Sequence, residues 1–321
     1  MTSLYIPGYA LRRIMFFTLT VVTTLIAMGL LISVYQTDGI SPLEVVLLLL
    51  YAVLLLWICA SFWTATIGFV IRLTRRDRCA ISATIGSTPV ATAFRTAIVM
   101  PVYNEDPSRV FAGIGAIYQS LQEIGHLEPF DFFILSDTQD PDLWIEEELQ
   151  WYRLCQSLHG GGRIYYRNRL RNTGRKSGNI ADFCSRWGAR YRYMIVLDAD
   201  SLMAGGTLVD MVRLMESNPP VALIQVPPVP VNRLSLFARI MQFASTIYGP
   251  LFTTGLNYWQ LGEGNYWGHN AILRVKPFAD CCGLPDLPGR EPFGGKILSH
   301  DFVEAALLLR KAGWQVYSPM I

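Results

Sequence analysis

The chain has 321 residues, of which 51% are hydrophobic and 16% are charged, and its formal net charge is +2. A typical soluble domain has about 25% charged residues, so a deficit confined to part of the chain indicates membrane-embedded segments. The small net charge, without a basic stripe interleaved with aromatic residues, argues against a nucleic-acid partner. The 6 cysteines form no C-x-x-C pair, which argues against a zinc site and suits a reducing cytosol.

The charge deficit is confined to two segments near the amino terminus. No formal charge occurs from 14 to 35 or from 45 to 71, and each run exceeds the roughly 20 residues that cross a bilayer. Two buried core helices or a signal peptide are the alternatives, but a signal peptide has a shorter apolar stretch. We therefore predict transmembrane helices over 14–35 and 45–71, within a membrane region 1–78 that contacts the lipid bilayer.

Basic residues flank these two helices unevenly. Arg12 and Arg13 precede the first helix and several arginines follow the second, whereas the connection 36–42 contains Asp38 and no basic residue. Because cytoplasmic flanks are enriched in Lys and Arg, both termini and everything after about residue 78 are predicted to lie in the cytosol.

Beyond a polar linker, predicted over 79–95, the period of the sequence changes. Short β-rich apolar runs alternate with helical stretches, which predicts an α/β domain with a mostly parallel sheet and helices on both faces. We expect this cytosolic domain over 96–321, with ligands bound beyond the carboxyl ends of the strands. The predicted strands are 97–102, 132–135, 164–166, 194–197, 221–226 and 271–275, and the predicted helices are 108–124, 141–158, 177–189 and 206–217.

Two carboxylates, Asp198 and Asp200, follow the apolar run 194–197. Side chains two residues apart on an extended segment face the same side. Hard cations such as Mg²⁺ and Mn²⁺ prefer oxygen ligands, which they often share with substrate phosphates. The pair therefore suits a metal-bound diphosphate, although two exposed loop acids would have the same sequence.

Two other polar segments also follow predicted strands. The segment 101–105, which contains Tyr103 and Glu105, begins a loop after the first strand. Asp137 comes just past the second strand, where it could accept a hydrogen bond from a nucleobase or ribose. The alternative role for Asp137 is to cap the helix that begins near Pro141.

A basic segment, 171–179, joins a strand to a helix through two glycines and several cations, among them Lys176. Cations at a helix amino terminus act together with the backbone N–H groups and the helix dipole, so they form a natural anion site. A diphosphate requires such a site, and a solvated basic loop is the alternative.

Two later segments complete the set of candidates. The glycine-rich, aromatic segment 262–270 can approach and stack on a sugar, with His269 as a candidate contact and an ordinary hairpin as the alternative. Ser299, His300 and Asp301 open a predicted helix. Ser299 is placed to cap that helix, and either Asp301 or His300 could take the proton of an acceptor hydroxyl.

In this order the motifs resemble those of family 2 glycosyltransferases with a GT-A, Rossmann-like fold, the group that contains bacterial cellulose, chitin and hyaluronan synthases. The resemblance runs from about Thr96 to Tyr317. In detail it is most similar to the subgroup that makes the backbone of osmoregulated periplasmic glucans. The segments that carry it are PVYNED, SDTQDP, RNTGRKSGNIADF, VLDADSLM, WGHNAILR and LSHDFVEAALLLRKAGW.

The resemblance implies an inverting glucosyltransferase, a multi-pass protein of the bacterial inner membrane. Such an enzyme moves glucose from UDP-glucose onto a growing β-glucan acceptor with Mg²⁺ or Mn²⁺ as cofactor. By the same resemblance the donor would be bound by Tyr103, Glu105, Asp137, Lys176 and Asp198, the metal by Asp198 and Asp200, and the acceptor proton by Asp301.

Two departures from the family pattern leave other functions open. The family's Thr-Glu-Asp motif is Ser299-His300-Asp301 here, and no Q-x-x-R-W motif follows before Ile321. We therefore expect a truncated sequence that lacks the acceptor-side helix and later membrane spans. The alternatives are another processive β-glycan synthase, of the cellulose or hyaluronan type, and a non-catalytic membrane-tethered protein that binds a nucleotide sugar. Nothing in the sequence indicates an oligomeric state.

Overall fold

Contacts in the computed structural model divide the chain into two compact units. One unit is formed mainly by Met1–Ala83 and Pro227–Leu261, and the other by Thr84–Val226 and Gly262–Pro319. The predicted linker 79–95 lies outside the described residues except at positions 81 and 95. The residues that the structure describes are 9–35, 39–75, 77, 81, 95–232, 234–290, 294, 295, 297 and 299–319.

The first unit is helical. Its helix α1 spans Tyr9–Tyr35 and α2 spans Pro42–Thr74, so they contain the two predicted apolar segments. α2 begins with a capping box, in which the side chains of Ser41 and Glu44 each accept a hydrogen bond from the other's backbone N–H. Both helices are long and apolar enough to cross a membrane, and only 17% and 6% of their most apolar windows are buried. This low burial argues against the alternative of two core helices.

A further helix of this unit, α7, spans Leu236–Gln260, where the sequence analysis predicts no element. It packs closely against α2. A Cβ atom added at Gly255 would lie 1.8 Å from the carbonyl oxygen of Thr64, and one added at Gly68 would lie 1.8 Å from that of Leu251. Glycine at both positions therefore lets the two helix backbones approach, as small residues do where membrane helices cross.

The arginines near the start of α1 bind the carboxyl end of α7. Arg13 donates from Nε to the carbonyl oxygen of Trp259 at 3.0 Å, and Arg12 forms an ion pair with Asp77 at 2.9 Å. Phe16 stacks on the Trp259 ring, with 4.7 Å between the ring centroids. A cation at a helix carboxyl terminus is favourable because of the helix dipole. These arginines therefore contribute to packing within the unit.

The second unit contains a mixed sheet, for which seven strands lie among the described residues. These are β1 (Thr96–Val102), β2 (Phe130–Ser136), β3 (Ile164–Asn168), β4 (Tyr193–Val196), β5 (Val221–Gln225), β6 (Ala271–Arg274) and β7 (Gln315–Tyr317). Their order in the sheet is β3-β2-β1-β4-β6-β5-β7. All neighbours are parallel except β6, which is antiparallel to both β4 and β5. The predicted α/β fold with a mostly parallel sheet is confirmed.

Helices pack on both faces of this sheet because successive strand residues point to opposite sides. Phe133 of β2 lies in a core with Phe183 and Leu308, whereas the preceding residue, Phe132, contacts Tyr118 with 5.5 Å between ring centroids. Phe183 belongs to helix α5 (Arg175–Arg186), Leu308 to α9 (His300–Ala312) and Tyr118 to α3 (Pro107–Glu123). The helices are α3 (Pro107–Glu123), α4 (Pro141–Leu158), α5 (Arg175–Arg186), α6 (Gly205–Ser217), α8 (Val275–Cys281) and α9 (His300–Ala312).

The antiparallel strand β6 decides which loops meet at one edge of the sheet. Ala271, the first residue of β6, pairs with Val196 at the end of β4 and with Gln225 at the end of β5. The segment 262–270, which precedes β6, therefore arrives at the edge from which the chain leaves β1, β2 and β4. The rule that ligands bind at the carboxyl ends of strands applies to the loops after those strands. The segment 262–270 reaches the same edge for a different reason: it precedes a strand, β6, that runs antiparallel to its neighbours.

Candidate active site

A cavity of about 560 Å³ lies at the carboxyl edge of β1, β2 and β4. Its walls come from the segments that follow these strands and from the segment around the start of α5. The seventh predicted site residue, Asp301, is not among the lining residues in the described part of the chain. The other six line the cavity together: Tyr103, Glu105, Asp137, Lys176, Asp198 and Asp200.

Asp137 is buried beside a guanidinium group that the sequence analysis missed. Its two carboxylate oxygens accept hydrogen bonds from Nε and Nη2 of Arg169 at 2.6 and 2.7 Å. Arg169 also donates to the backbone carbonyl of Thr173 at 3.2 Å. Helix α4 is capped by Asp140, whose side chain accepts from the backbone N–H of Asp142, so the alternative capping role for Asp137 is wrong. The sequence feature that could have identified Arg169 is its position directly after β3, at the edge of the sheet where the ligand is expected.

A second buried carboxylate, Glu147 of α4, joins the loops that follow β1 and β2. It is fully buried and accepts hydrogen bonds from the hydroxyls of Thr138 at 2.6 Å and Tyr166 at 2.8 Å. The Thr138 hydroxyl in turn accepts from the backbone N–H of Asn104 at 3.0 Å, and the Asn104 side chain accepts from the N–H of Gln139. No local sequence signal distinguishes Glu147, because a glutamate within a helix usually faces water.

The first turn of α5 brings a cation to the Asp198 carboxylate. Gly174 has a φ of 74°, and a Cβ atom at Gly178 would lie 2.1 Å from the carbonyl oxygen of Thr173, so only glycine suits this turn. Helix α5 consequently starts two residues earlier than predicted. Lys176 then lies in its first turn, with Nζ 2.5 Å from Oδ1 of Asp198. A bound anion would compete with Asp198 for Lys176, and a bound cation would compete with Lys176 for Asp198.

The carboxylates of Asp198 and Asp200 are accessible to a ligand in the cavity. The Asp200 side chain is 61% exposed and lies 3.9 Å from Arg109, and the second oxygen of Asp198 lies 3.9 Å from Nε2 of His269. The other ring nitrogen of His269 is buried and makes no hydrogen bond to any residue that the structure describes. Carboxylate oxygens are the ligands that Mg²⁺ and Mn²⁺ prefer, so the residues present fit a divalent ion.

Gly268 brings the backbone against the carboxylate of Asp301. Its φ is 82°, a conformation that favours glycine, and an added Cβ atom would lie 2.6 Å from each Asp301 carboxylate oxygen. The next residue, His269, is the one that lies 3.9 Å from Asp198. Two consecutive residues of one loop therefore contact Asp301 on one side and approach Asp198 on the other.

The start of α9 carries a cluster of titratable side chains. Nδ1 of His300 lies 3.0 Å from an Asp301 oxygen and 3.3 Å from a Glu304 oxygen. Burial opposes the charged imidazole, but the two carboxylates outweigh burial and raise the pKa of His300 to about 9. An imidazole that is already protonated at neutral pH is a poor proton acceptor, which favours Asp301 over His300 as a base. Ser299 makes no capping bond with its side chain, so its predicted capping role is wrong.

The side chain of Tyr266, two residues before Gly268, is buried, and the pKa of its hydroxyl is raised well above the ordinary value. Burial is the largest cause that raises the pKa of Tyr266, followed by the negative charges of Glu304, Asp301 and Asp198. Asp198 follows β4 and Asp301 begins α9, yet both act on one side chain. The carboxylates of Asp198 and Asp301 therefore both influence the pKa of Tyr266.

A family comparison agrees with this fold. The model of glycosyl transferase family 2 matches residues 97–282, which is more than half of the chain. The chain belongs to glycosyltransferase family 2, as its motifs led us to expect. The match extends from β1 through α8 and includes the cavity residues.

Within that family the chain is similar to curated proteins named Glucans biosynthesis glucosyltransferase H. It is 52% identical over 312 residues to the protein of Cupriavidus pinatubonensis, an alignment that covers 97% of this chain and 36% of the relative. It is 56% identical over 272 residues to that of Pseudomonas paraeruginosa, covering 84% of this chain and 32% of the relative. The chain thus spans about a third of the length of these relatives.

Among solved structures, the chain is similar to the mannosyltransferase PcManGT from Pyrobaculum calidifontis in complex with GDP-Man and Mn²⁺. The sequence identity is 14% and the TM-score is 0.44. The superposition covers 81% of this chain and 65% of the solved chain.

Proposed function

We propose that this protein is an inverting glucosyltransferase that transfers glucose from UDP-glucose to a growing β-glucan at the cytosolic face of the bacterial inner membrane. The observation that carries the proposal is the loop at Gly268 and His269, which contacts the Asp301 carboxylate and approaches Asp198. Similarity to glucan glucosyltransferases supports the choice of glucose and of a glucan acceptor. The two apolar helices α1 and α2 support attachment to a lipid bilayer.

The donor is proposed to occupy the cavity at the carboxyl edge of the sheet. Tyr103, Glu105 and Asp137 line one part of it and are proposed to bind the uridine. Asp137 is already bound to Arg169 through both oxygens, so its position is fixed before a nucleoside enters. Lys176 lies in the first turn of a helix, where its charge and the backbone N–H groups suit the diphosphate.

Asp198 and Asp200 are proposed to hold a divalent ion. A bound Mg²⁺ or Mn²⁺ would stabilise the charge that develops on the departing diphosphate. Lys176 adds a second positive charge beside Asp198, and this fixed charge needs no reorganisation during the reaction. The site is thus suited to a leaving group that becomes more negative.

Asp301 is proposed to remove the proton from the acceptor hydroxyl. The hydroxyl oxygen then attacks the anomeric carbon from the side opposite the diphosphate, the bond to the diphosphate oxygen breaks, and UDP leaves. Attack from the opposite side inverts the configuration and gives a β-linkage. His300 contacts the Asp301 carboxylate and is itself contacted by Glu304. These contacts restrict where the Asp301 carboxylate can lie.

The test is a transfer assay on the protein in membranes with UDP-glucose, UDP-N-acetylglucosamine and UDP-glucuronate, together with the variant Asp301→Asn. We expect UDP-glucose to be consumed and Asp301→Asn to lose about 10²- to 10⁴-fold in turnover, the contribution of a general base, with unchanged binding of UDP. Asp280→Asn, at an exposed aspartate outside the cavity, is the matched control.

Two results would contradict this function. Consumption of only an N-acetylhexosamine or glucuronate donor would identify another type of β-glycan synthase. Binding of UDP with turnover that does not respond to Asp301→Asn would favour the non-catalytic, nucleotide-sugar-binding alternative.

A further inference from the structure

Gln225 is a buried polar residue to which the proposed mechanism assigns no role. It is the last residue of β5 and is fully buried, after four buried apolar residues. Burial of an amide in apolar surroundings is unfavourable unless its donors and its acceptor are hydrogen-bonded. The sequence predicts an apolar strand over 221–226, where an alanine, valine or leucine would have sufficed. A glutamine here therefore requires specific partners.

Both ends of the Gln225 amide bond the loop that approaches the candidate base. Its side-chain oxygen accepts from the backbone N–H of Trp267 at 2.6 Å, and its side-chain nitrogen donates to the backbone carbonyl of His269 at 2.5 Å. These partners lie on either side of Gly268. The Gln225 side chain thus fixes the backbone on both sides of Gly268.

The backbone that Gln225 holds is in an unusual conformation. Gly268 has a φ of 82° and Asn270 has a φ of 50°, so two residues of this short segment lie in the left-handed region. Asparagine adopts this region more readily than other residues with side chains, so both residues suit a tight turn. The N–H of Val226 donates to the carbonyl of Asn270 at 2.8 Å, which adds a further attachment beside the two bonds of Gln225.

The consequence concerns the two carboxylates on which the proposed reaction depends. Gly268 lies against both oxygens of Asp301, and His269 lies 3.9 Å from Asp198. If the loop shifted, the Asp301 carboxylate would lose its contact with Gly268, and the distance between His269 and Asp198 would change. We propose that Gln225 is a positioning residue for the transfer reaction: by fixing Trp267 and His269 it holds the Asp301 and Asp198 carboxylates in their relative positions. This inference rests on the proposed function.

The chemistry of the two bonds identifies the variants that test this role. Gln225→Glu keeps the size and an acceptor for the Trp267 N–H, but it places a carboxylate oxygen against the carbonyl of His269. Gln225→Leu removes both bonds and keeps the volume. Gln122→Glu, at an exposed glutamine on α3, is the matched control because it makes the same chemical change away from the site.

The first measurement is amide hydrogen exchange on the full chain in membranes, followed at the backbone N–H of Trp267. We expect exchange at Trp267 to become at least about 10-fold faster in Gln225→Leu, because a buried hydrogen bond that closes this amide is gone. Gln122→Glu should leave it unchanged. Unchanged exchange in Gln225→Leu would overturn the inference without any reference to turnover.

The second measurement compares the kinetic constants for UDP-glucose with the binding of UDP. We expect kcat to fall by about 10- to 100-fold in Gln225→Glu, as for a reacting group moved by a fraction of an ångström, with KM for the donor and the affinity for UDP within about 3-fold of the wild type. An equal loss of UDP affinity and of kcat, or a wild-type kcat in a variant whose Trp267 exchange is accelerated, would show a merely structural residue. If Gln225→Leu fails to bind UDP, Gln225→Glu alone decides the question.

The two proposals fail in different ways. If the wild-type protein consumes no nucleotide sugar, the proposed function fails. Separately, a Trp267 amide that exchanges in Gln225→Leu at the wild-type rate overturns the positioning role. If the wild type turns over UDP-glucose and both Gln225 variants match it, the function stands and the positioning role is overturned.

Discussion

The two sides of the site are held by different kinds of contact. On the cavity side, the loops after β1 and β2 are joined by side chains, with Glu147 and Thr138 in one network and Asp137 and Arg169 in another pair. On the Asp301 side, the carboxylate lies directly against the backbone of Gly268. A substitution in a side-chain network removes one hydrogen-bond partner, and the remaining side chains can rearrange. At a glycine packed by its backbone, a substitution can only add atoms, which push the neighbouring group away. Substitution of Glu147 on the first side should therefore reduce stability, and substitution of Gly268 on the second side should reduce turnover.

The largest effect is expected from Gly268→Ala, which adds a Cβ atom 2.6 Å from each Asp301 oxygen. The carboxylate must move, and because a displacement of about 1 Å costs about 100-fold in rate, we expect turnover to fall by at least that factor. Gly283→Ala is the matched control, since a Cβ there meets nothing within 4 Å. Steady-state kinetics with UDP-glucose measures both variants. A wild-type kcat in Gly268→Ala would show that the contact between Gly268 and Asp301 does not control turnover.

The next effect concerns Glu147 on the cavity side. Glu147→Ala leaves the hydroxyls of Thr138 and Tyr166 without their acceptor, at a cost of about 1–3 kcal/mol for each buried group. We expect the free energy of unfolding to fall by about 2–6 kcal/mol, and Glu147→Gln, which keeps one acceptor oxygen, to lose less. Glu148→Ala, at an exposed neighbour, should change it by less than about 0.5 kcal/mol. Denaturant unfolding followed by intrinsic fluorescence provides the measurement.

A third prediction asks whether close approach at glycine acts in the same way outside the site. In the helical unit, a Cβ at Gly255 would lie 1.8 Å from the carbonyl oxygen of Thr64, whereas one at Gly249 on the same helix meets nothing within 4 Å. We expect Gly255→Ala to destabilise the unit by about 1–3 kcal/mol and Gly249→Ala to have little effect. Thermal inactivation in detergent compares the two variants. Equal stabilities would mean that α2 and α7 separate at low cost.

The smallest effect is a dependence of stability on pH through His300. Its pKa is about 9 in the folded protein, against an ordinary value of 6.5, so folding favours the protonated form. The resulting stabilisation is fully present below about pH 6.5 and is lost as the pH rises through about 9. We expect the thermal midpoint to fall by about 2–4 °C across that window and His300→Asn to remove most of this fall. A midpoint that rises with pH in the wild type would contradict the assigned charge.

Local sequence features predict several elements closely. Helix α4 has its predicted bounds because Asp140 caps it and Pro141 fits its first position. The strands β1 and β2 begin within two residues of their predicted starts, since their apolar runs are bounded by polar loops. Helix α7 escaped prediction because Pro250 lies in its middle, and a proline normally ends or interrupts a helix.

The sequence by itself determined the glycosyltransferase family, the two apolar helices and the set of residues at the carboxyl edge of a mostly parallel sheet. These depend on periodicity, on capping and on residues close together along the chain. Only the tertiary structure decided that β6 runs antiparallel, that Arg169 binds Asp137, and that Gly268 lies against Asp301. Such contacts join distant segments, and their geometry depends on how strands pair and how closely backbones pack, which no local pattern of residues specifies.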